Sequence, residues 1–271
     1  MTILFVVPTL GNRRDLLVRS LASITAQAQV GIDLVVVAPR GRGVEELIAG
    51  TGARFVQDPA RGGLSGALNA GLAAAAPGTE YFAWLGDDDL LAPGSLATTT
   101  RTLAENPDAV LAFGWCDYID ADDTVVFRSR AGRLAAATVT FGPNLIPQPG
   151  SLMRYDAVVA VGGLDETVSL AMDLDLFLRL RRRGRLLAIP QTLASFRWHD
   201  GSATVSAERK SMDESDQLRM KYLPAPFAAG YQVLRWPGRW ALLAAKRRVV
   251  HNTARAAKQA SRPGRHLATQ S

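Results

Sequence analysis

Four short apolar runs alternate with segments of helical spacing over the first hundred residues, and that alternation leaves few folds open. "ILFVVPTL", "IDLVVVAP", "ARFVQD" and "EYFAWLG" read as strands, the first two as continuous apolar runs buried on both faces. Between them, "NRRDLLVRSLASITAQAQ" puts Leu17, Leu21, Ile24 and Ala28 on one helical face. "VEELIAG" is a short helix ending at glycine, and "LSGALNAGLAAAA" is an Ala-rich helix stopped by Pro77-Gly78. Strands alternating with helices predict an α/β fold with a mostly parallel central sheet and right-handed crossovers.

The second half reads differently. "AVLAFGWCDYID" is a further strand, and "TVVFRSR" suggests a hairpin edge. "AMDLDLFLRLRRRG" places Leu174, Phe177, Leu178 and Arg181 at helical spacing, with Asp173 at the positive end of the helix dipole. "LLAIPQTLASFRWHDGSAT" reads as two short strands ending in His199. With 48% hydrophobic and 21% charged residues, the 271-residue chain can bury a sizeable core, as one large α/β domain or as one domain with an appendage. Its single cysteine, Cys116, excludes an intrachain disulfide and a Cys-based zinc site. The N-terminus lacks a basic n-region, so no signal peptide is expected, and no apolar run has the ~18 residues of a membrane span. A reducing, cytoplasmic setting follows as the default expectation.

Net charge is +6, but unevenly spread. From Gln217 to Ser271 there are 11 Lys and Arg and no Asp or Glu, which leaves 20 basic against 25 acidic residues before it. The main domain is therefore mildly acidic, and the basicity lies in the tail.

Within "FAWLGDDDLLAPGSL", Asp87, Asp88 and Asp89 stand in a row. They could be a solvated turn, since Asp is a good turn and cap residue. They could equally hold a divalent cation. In an open parallel sheet, ligands bind beyond the carboxyl ends of the strands. Pro8-Thr9, Ala38-Pro39 and the three aspartates all follow strands, so they are expected to line one crevice. The glycines of GxGxxG and GxxxxGK[ST] are absent, which excludes a dinucleotide fingerprint and a P-loop.

In order along the chain, "VVPTL" with "LLVRSLASITAQ", "GGLSGALNAG", "WLGDDDLLAPGSL", "QPGSLMRYDAVVAVGGLDE", "AMDLDLFLRLRRRG" and "FRWHDGS" resemble the family-2 glycosyltransferases, which have the GT-A fold, over roughly residues 3–205. Each piece alone is weak, and the ordered set is specific. The resemblance implies residues 1–205 as the catalytic domain. Its nucleotide-sugar half would span about 1–116 and its acceptor half about 117–205, with residues 206–271 a helical, basic C-terminal extension.

The activity so implied is metal-dependent, inverting transfer of a sugar from a UDP- or dTDP-sugar donor to a hydroxyl of a glycan or lipid-linked acceptor. A divalent ion, Mn²⁺ or Mg²⁺, would neutralise charge on the leaving diphosphate. Asp88 matches the metal-contacting position, with Asp89 and His199 as further ligands. Gly86 falls where many members carry the first Asp of their DxD, so Asp87 would take a ribose or second-ligand role. The donor-side set implied is Pro8, Thr9, Ala38, Arg40, Arg61, Gly86 and Asp87; the acceptor-side set is Gly150, Ser151 and Met172. Asp173 matches the general base, although the preceding position, usually Glu, is Met172 here. Another departure is "VVVAPRGRG": relatives usually place aspartates after this strand to read uracil, which Ala38-Pro39 cannot do. Arg40 or Arg42 could reach phosphate instead.

The tail interleaves Trp236 and Trp240 with Lys246, Arg247 and Arg248, a pattern suited to an anionic membrane surface. Residues after about Tyr222 are thus expected to serve peripheral location on the inner face of the plasma membrane, not catalysis. A helix packed on the domain is the rival reading, and nucleic acid is not an expected partner. Two other functions stay open: a sugar-nucleotide pyrophosphorylase, for which "PTLGNRRD" is a poor phosphate loop, and a non-catalytic binding protein using the tail.

Overall fold

A computed structural model of the chain describes residues 1–27, 30–130, 132–198, 208–223, 227 and 231. The first half alternates as the sequence predicts: β1 (Thr2–Pro8), α1 (Arg14–Thr25), β2 (Gly31–Ala38), α2 (Val44–Ile48), β3 (Arg54–Gln57), α3 (Gly63–Ala73) and β4 (Thr79–Trp84). β5 (Leu90–Leu91), α4 (Ser95–Glu105), β6 (Ala109–Ile119), β7 (Val125–Ser129), α5 (Arg133–Thr138), β8 (Leu152–Arg154) and α6 (Tyr155–Ala160) follow. The described chain closes with α7 (Met172–Leu180), β9 (Arg185–Arg197) and α8 (Glu208–Tyr222).

The nine strands form one sheet in the order β3-β2-β1-β4-β8-β6-β9-β5, with β7 paired to β6. β3, β2, β1 and β4 are mutually parallel, as are β6 and β9; β8 enters antiparallel between the two groups. Alternation along β1 shows why its run is continuous. Leu4 and Val6 join the core under α3 and α7, whereas Ile3, Phe5 and Val7 join the core under α1, α2 and α4. A strand with helices on both faces has no polar side to present. Leu17, Leu21 and Ile24 are buried as the helical spacing predicts.

β9 corrects one expectation. The segment read as two short strands is a single 13-residue strand, paired parallel to β6. Pro190 does not break it, because the register slips on either side of Trp115, so that β9 carries extra residues there. Gly114 permits the close approach: a Cβ at this position would sit 2.5 Å from the Gln191 carbonyl oxygen. The β6–β7 hairpin forms as expected.

α8 docks on α7, with Leu218 in the core that α7 lines. Tyr222 donates its hydroxyl to Asp175 (2.7 Å), and the Tyr222 carbonyl accepts from Arg182 (2.9 Å). Two described residues beyond Tyr222 also have packing roles. Tyr231 is buried and donates to Asp216 (2.8 Å), and Phe227 meets Phe141 edge-on at 6.3 Å. Trp236, Trp240 and the rest of the basic tail lie outside the described residues, as does His199. Among the described residues, no helix is long and apolar enough to cross a membrane.

Candidate active site

β1 and β4 are neighbours in register, Val6 opposite Trp84, so Thr9 and the three aspartates emerge side by side. The Thr9 N–H donates to the Val37 carbonyl (2.9 Å), which ties the ends of β1 and β2 together. Three adjacent carboxylates persist because two share one guanidinium and the third bonds elsewhere. Asp87 accepts from the Thr9 hydroxyl (2.5 Å) and from Arg13 Nη2. Asp88 accepts from Arg13 Nη1 (2.5 Å). Asp89 turns away from both and accepts the Arg197 backbone N–H (2.9 Å).

Burial orders the three. Asp87 and Asp89 are 3% and 4% exposed, while the Asp88 side chain keeps 12%. Burial raises Asp87 above the usual carboxylate range, against the opposing pull of Thr9 and Arg13. Burial, then the charge of Asp88, pushes Asp89 up to about 8. Gly86 earns its place sterically: a Cβ there would lie 3.0 Å from both Asp88 Oδ1 and Asp89 Oδ2. Any side chain at position 86, an aspartate included, would crowd the two carboxylates that follow.

Behind the acidic run lies Arg197, 2% exposed. Its guanidinium donates to the carbonyls of Asp88 (3.0 Å) and Asp120 (2.6 Å) and to the Asp123 carboxylate (2.5 Å). Asp123 also pairs with Arg19 of α1. The backbone of the acidic run is thus wired to the β6–β7 turn and the end of β9.

At the neighbouring strand ends, the Ala38 carbonyl accepts the Asp58 N–H (2.9 Å). Arg40 and Arg61 are exposed. Arg61 precedes α3, and its carbonyl lies so near Gly66 that a Cβ there would approach to 2.0 Å.

Asp173 stands in the first turn of α7 and accepts from Asn144 Nδ2 (3.0 Å) and from the Leu174 N–H (2.8 Å). Burial raises it above the ordinary carboxylate range; the Leu174 N–H and Asn144 oppose this by favouring the ionised form. Burial, first of all, raises the Tyr118 phenol, with Cys116, Asp89 and Asp173 adding to it. Asp175 points elsewhere, ion-paired with Arg179 (2.5 Å). Met172 is core: it is 7% exposed, and its sulfur accepts from Ser65 (3.2 Å). Gly150, at φ +79°, packs against Leu193, and the buried Ser151 hydroxyl donates to the Pro147 carbonyl (2.6 Å). Both hold the loop that presents Asn144 and Gln148, and Gln148 donates to the Trp84 carbonyl (2.8 Å).

Sequence reasoning assigned no role to Arg13, Asn144, Gln148 or Arg197. The available signal for Arg13 was a basic pair at the start of α1, just beyond the β1 loop; Asn144 stands in an aperiodic loop that carries none.

Asp87 and Asp88 offer hard oxygen donors at one strand end and already share one cation, the Arg13 guanidinium. That donor chemistry fits Mg²⁺ or Mn²⁺. Among the described residues no group of three or more His, Cys, Asp and Glu is arranged to hold a metal, so substrate oxygens or water would complete the shell.

One consequence concerns Asn144. Asn144→Ala removes a donor that favours ionised Asp173, so the Asp173 carboxyl, followed by carbon-13 NMR, is expected to titrate at higher pH. An unmoved titration would show that Asn144 does not tune this carboxylate.

The fold is that of GT-A glycosyltransferases. Mannosyltransferase PcManGT from Pyrobaculum calidifontis, solved with GDP-Man and Mn²⁺, superposes with a TM-score of 0.66 at 17% identity, covering 97% of this chain and 76% of that one. TarS residues 1–349 from S. aureus, solved with UDP-GlcNAc, superposes with a TM-score of 0.64 at 14% identity, covering 85% and 70%. The glycosyl transferase family 2 model matches residues 5–157, and the chain belongs to that family. A 3-phospho-D-glycerate guanylyltransferase from Phenylobacterium zucineum (strain HLK1) is 35% identical over 147 residues, or 52% of this chain. The chain spans 61% of that relative's length.

Proposed function

We propose that the protein moves a sugar from a nucleoside-diphosphate donor to an acceptor hydroxyl with inversion at the anomeric carbon. The observation that carries this reading is the pairing of two environments. Asp87 and Asp88 share a cation at the carboxyl end of β4, and a separate buried carboxylate, Asp173, is oriented by Asn144.

In this reading Asp88, the most exposed of the three aspartates, is the metal ligand, and Asp87 takes the ribose or a second-ligand role. Asp89 and His199 are the further ligand candidates. A bound Mn²⁺ or Mg²⁺ would supply charge neutralisation on the leaving diphosphate. Thr9 holds Asp87 in place, and Arg13 lies where its guanidinium can turn from the carboxylates to donor phosphate. Arg40 and Arg61 are exposed cations at the donor-side strand ends that suit the same anion. Asp173 accepts the acceptor hydroxyl proton as oxygen attacks the anomeric carbon opposite the diphosphate. Burial suits it to this role, since a carboxylate raised above its ordinary value is a stronger base than an exposed one. A glycan or lipid-linked acceptor, with the basic tail on an anionic leaflet, completes the proposal.

A second reading rests on the guanylyltransferase relative: nucleotidyl transfer onto a phosphorylated small molecule, with release of pyrophosphate. Thermal-shift titration with UDP-, dTDP- and GDP-sugars and with the matching nucleoside triphosphates, each with and without Mn²⁺, separates the two. Glycosyl transfer predicts a Mn²⁺-dependent shift with a nucleotide sugar. A shift confined to a triphosphate would favour the second reading.

A further inference from the structure

α7 starts without a side-chain cap of its own: Ala171 occupies the cap position. Its entry is nevertheless satisfied, from another element. Glu214 of α8 accepts three successive backbone N–H groups, from Ser169 (2.8 Å), Leu170 (2.6 Å) and Ala171 (2.7 Å). These donors end two residues before Asp173. Of these donors only Ala171 belongs to the helix end and Ser169 and Leu170 lead into it, so the Glu214 anion fixes the entry to α7 and complements its dipole.

We propose that Glu214 is a positioning residue that sets the first turn of α7, and with it the carboxylate of Asp173. The proposal rests on Asp173 being the base. Residues 206–271, set apart by sequence as an extension, then supply part of the acceptor site's geometry through α8. The rest of α8 is anchored for this task. Tyr222 bonds Asp175 one turn into α7, Lys221 pairs with Asp165 (3.6 Å), and Leu218 is buried in the core beside α7. With these contacts in place, the Glu214 carboxylate has one seat, and the 169–171 backbone closes on it. Without it, three adjacent N–H groups must find water, and the turn carrying Asp173 loses its reference point.

The test compares Glu214→Ala, Glu214→Gln and the parent, with kcat expressed per donor-binding site so that unfolded protein does not count. Glu214→Ala is expected to lower kcat by about 10–100-fold, the scale of a misplaced catalytic group. Its donor KM should stay within about twofold, because Asp87 and Asp88 lie on another element. Hydrogen exchange of the peptide containing residues 169–173 should accelerate in the same variant. Glu214→Gln keeps one acceptor oxygen and should fall between the two; it carries the test alone if the Ala variant does not fold. Parent-level kcat per site in whichever variant folds, with Asp173→Asn inactive, would overturn the proposal. Full turnover by Asp173→Asn would instead overturn the base assignment, and the exchange measurement would still read the cap.

Discussion

Asp173→Asn will bind the donor as the parent does and lose about 10²–10⁴-fold in transfer, the usual contribution of a general base. Asparagine keeps the shape and one acceptor oxygen, enough for the Leu174 N–H, but its amide NH2 cannot accept from Asn144, and it cannot take a proton from the attacking hydroxyl. Donor affinity is expected to be spared because the proposed donor-side groups, at the ends of β1, β2 and β4 and before α3, belong to elements other than α7. Stability provides the control. Asp173 is raised above its unfolded value by burial, so its contribution is complete below the ordinary carboxylate range and is lost as pH rises through the folded-state value. Asparagine carries no such loss. The parent should therefore lose more stability than the variant as pH rises from acid to neutral, whatever constant offset the lost Asn144 contact adds. A destabilised, inactive variant would point to a structural role; a stable variant retaining most of its turnover would remove Asp173 from the mechanism.

Asp88→Ala will abolish the Mn²⁺-dependent stabilisation by nucleotide sugar while leaving the unliganded protein close to its parent's midpoint. The Asp88–Arg13 pair has a guanidinium 37% exposed, and ion pairs so open to solvent contribute only about 0–1 kcal/mol. Arg13 keeps Asp87 as a partner. The ligand effect is much larger: a donor at a hundred times its Kd stabilises by ~2.7 kcal/mol. Differential scanning fluorimetry with and without Mn²⁺ measures both quantities. A full-size Mn²⁺ effect in the variant would move the metal away from Asp88.

How far the sequence could be read follows from the range of each interaction. The βαβ half was legible because burial on both faces writes itself into contiguous residues, as in Ile3 to Val7. The place of the acidic run, at the carboxyl end of a strand beside the end of β1, followed from the topology of a parallel sheet. The partners that shape the site were not legible. Arg13 reaches across 74 and 75 positions to Asp87 and Asp88, Arg197 across 108 to Asp89, and Glu214 across 43 to 45 to the start of α7. Contacts of that range leave no periodicity. The β9 misreading has a local cause: Pro190 looks like a strand end, and only the slipped pairing with β6 shows how the strand absorbs it.

Phosphorus NMR of a reaction containing Mn²⁺, an acceptor and the nucleotide sugar that binds best tests the central claim most directly. The sugar diphosphate signals are expected to decay into those of a nucleoside diphosphate, without inorganic pyrophosphate, and Asp173→Asn is expected to halt the conversion. Inorganic pyrophosphate accumulating from a nucleoside triphosphate and a phosphorylated small molecule, with every nucleotide sugar left intact, would contradict it.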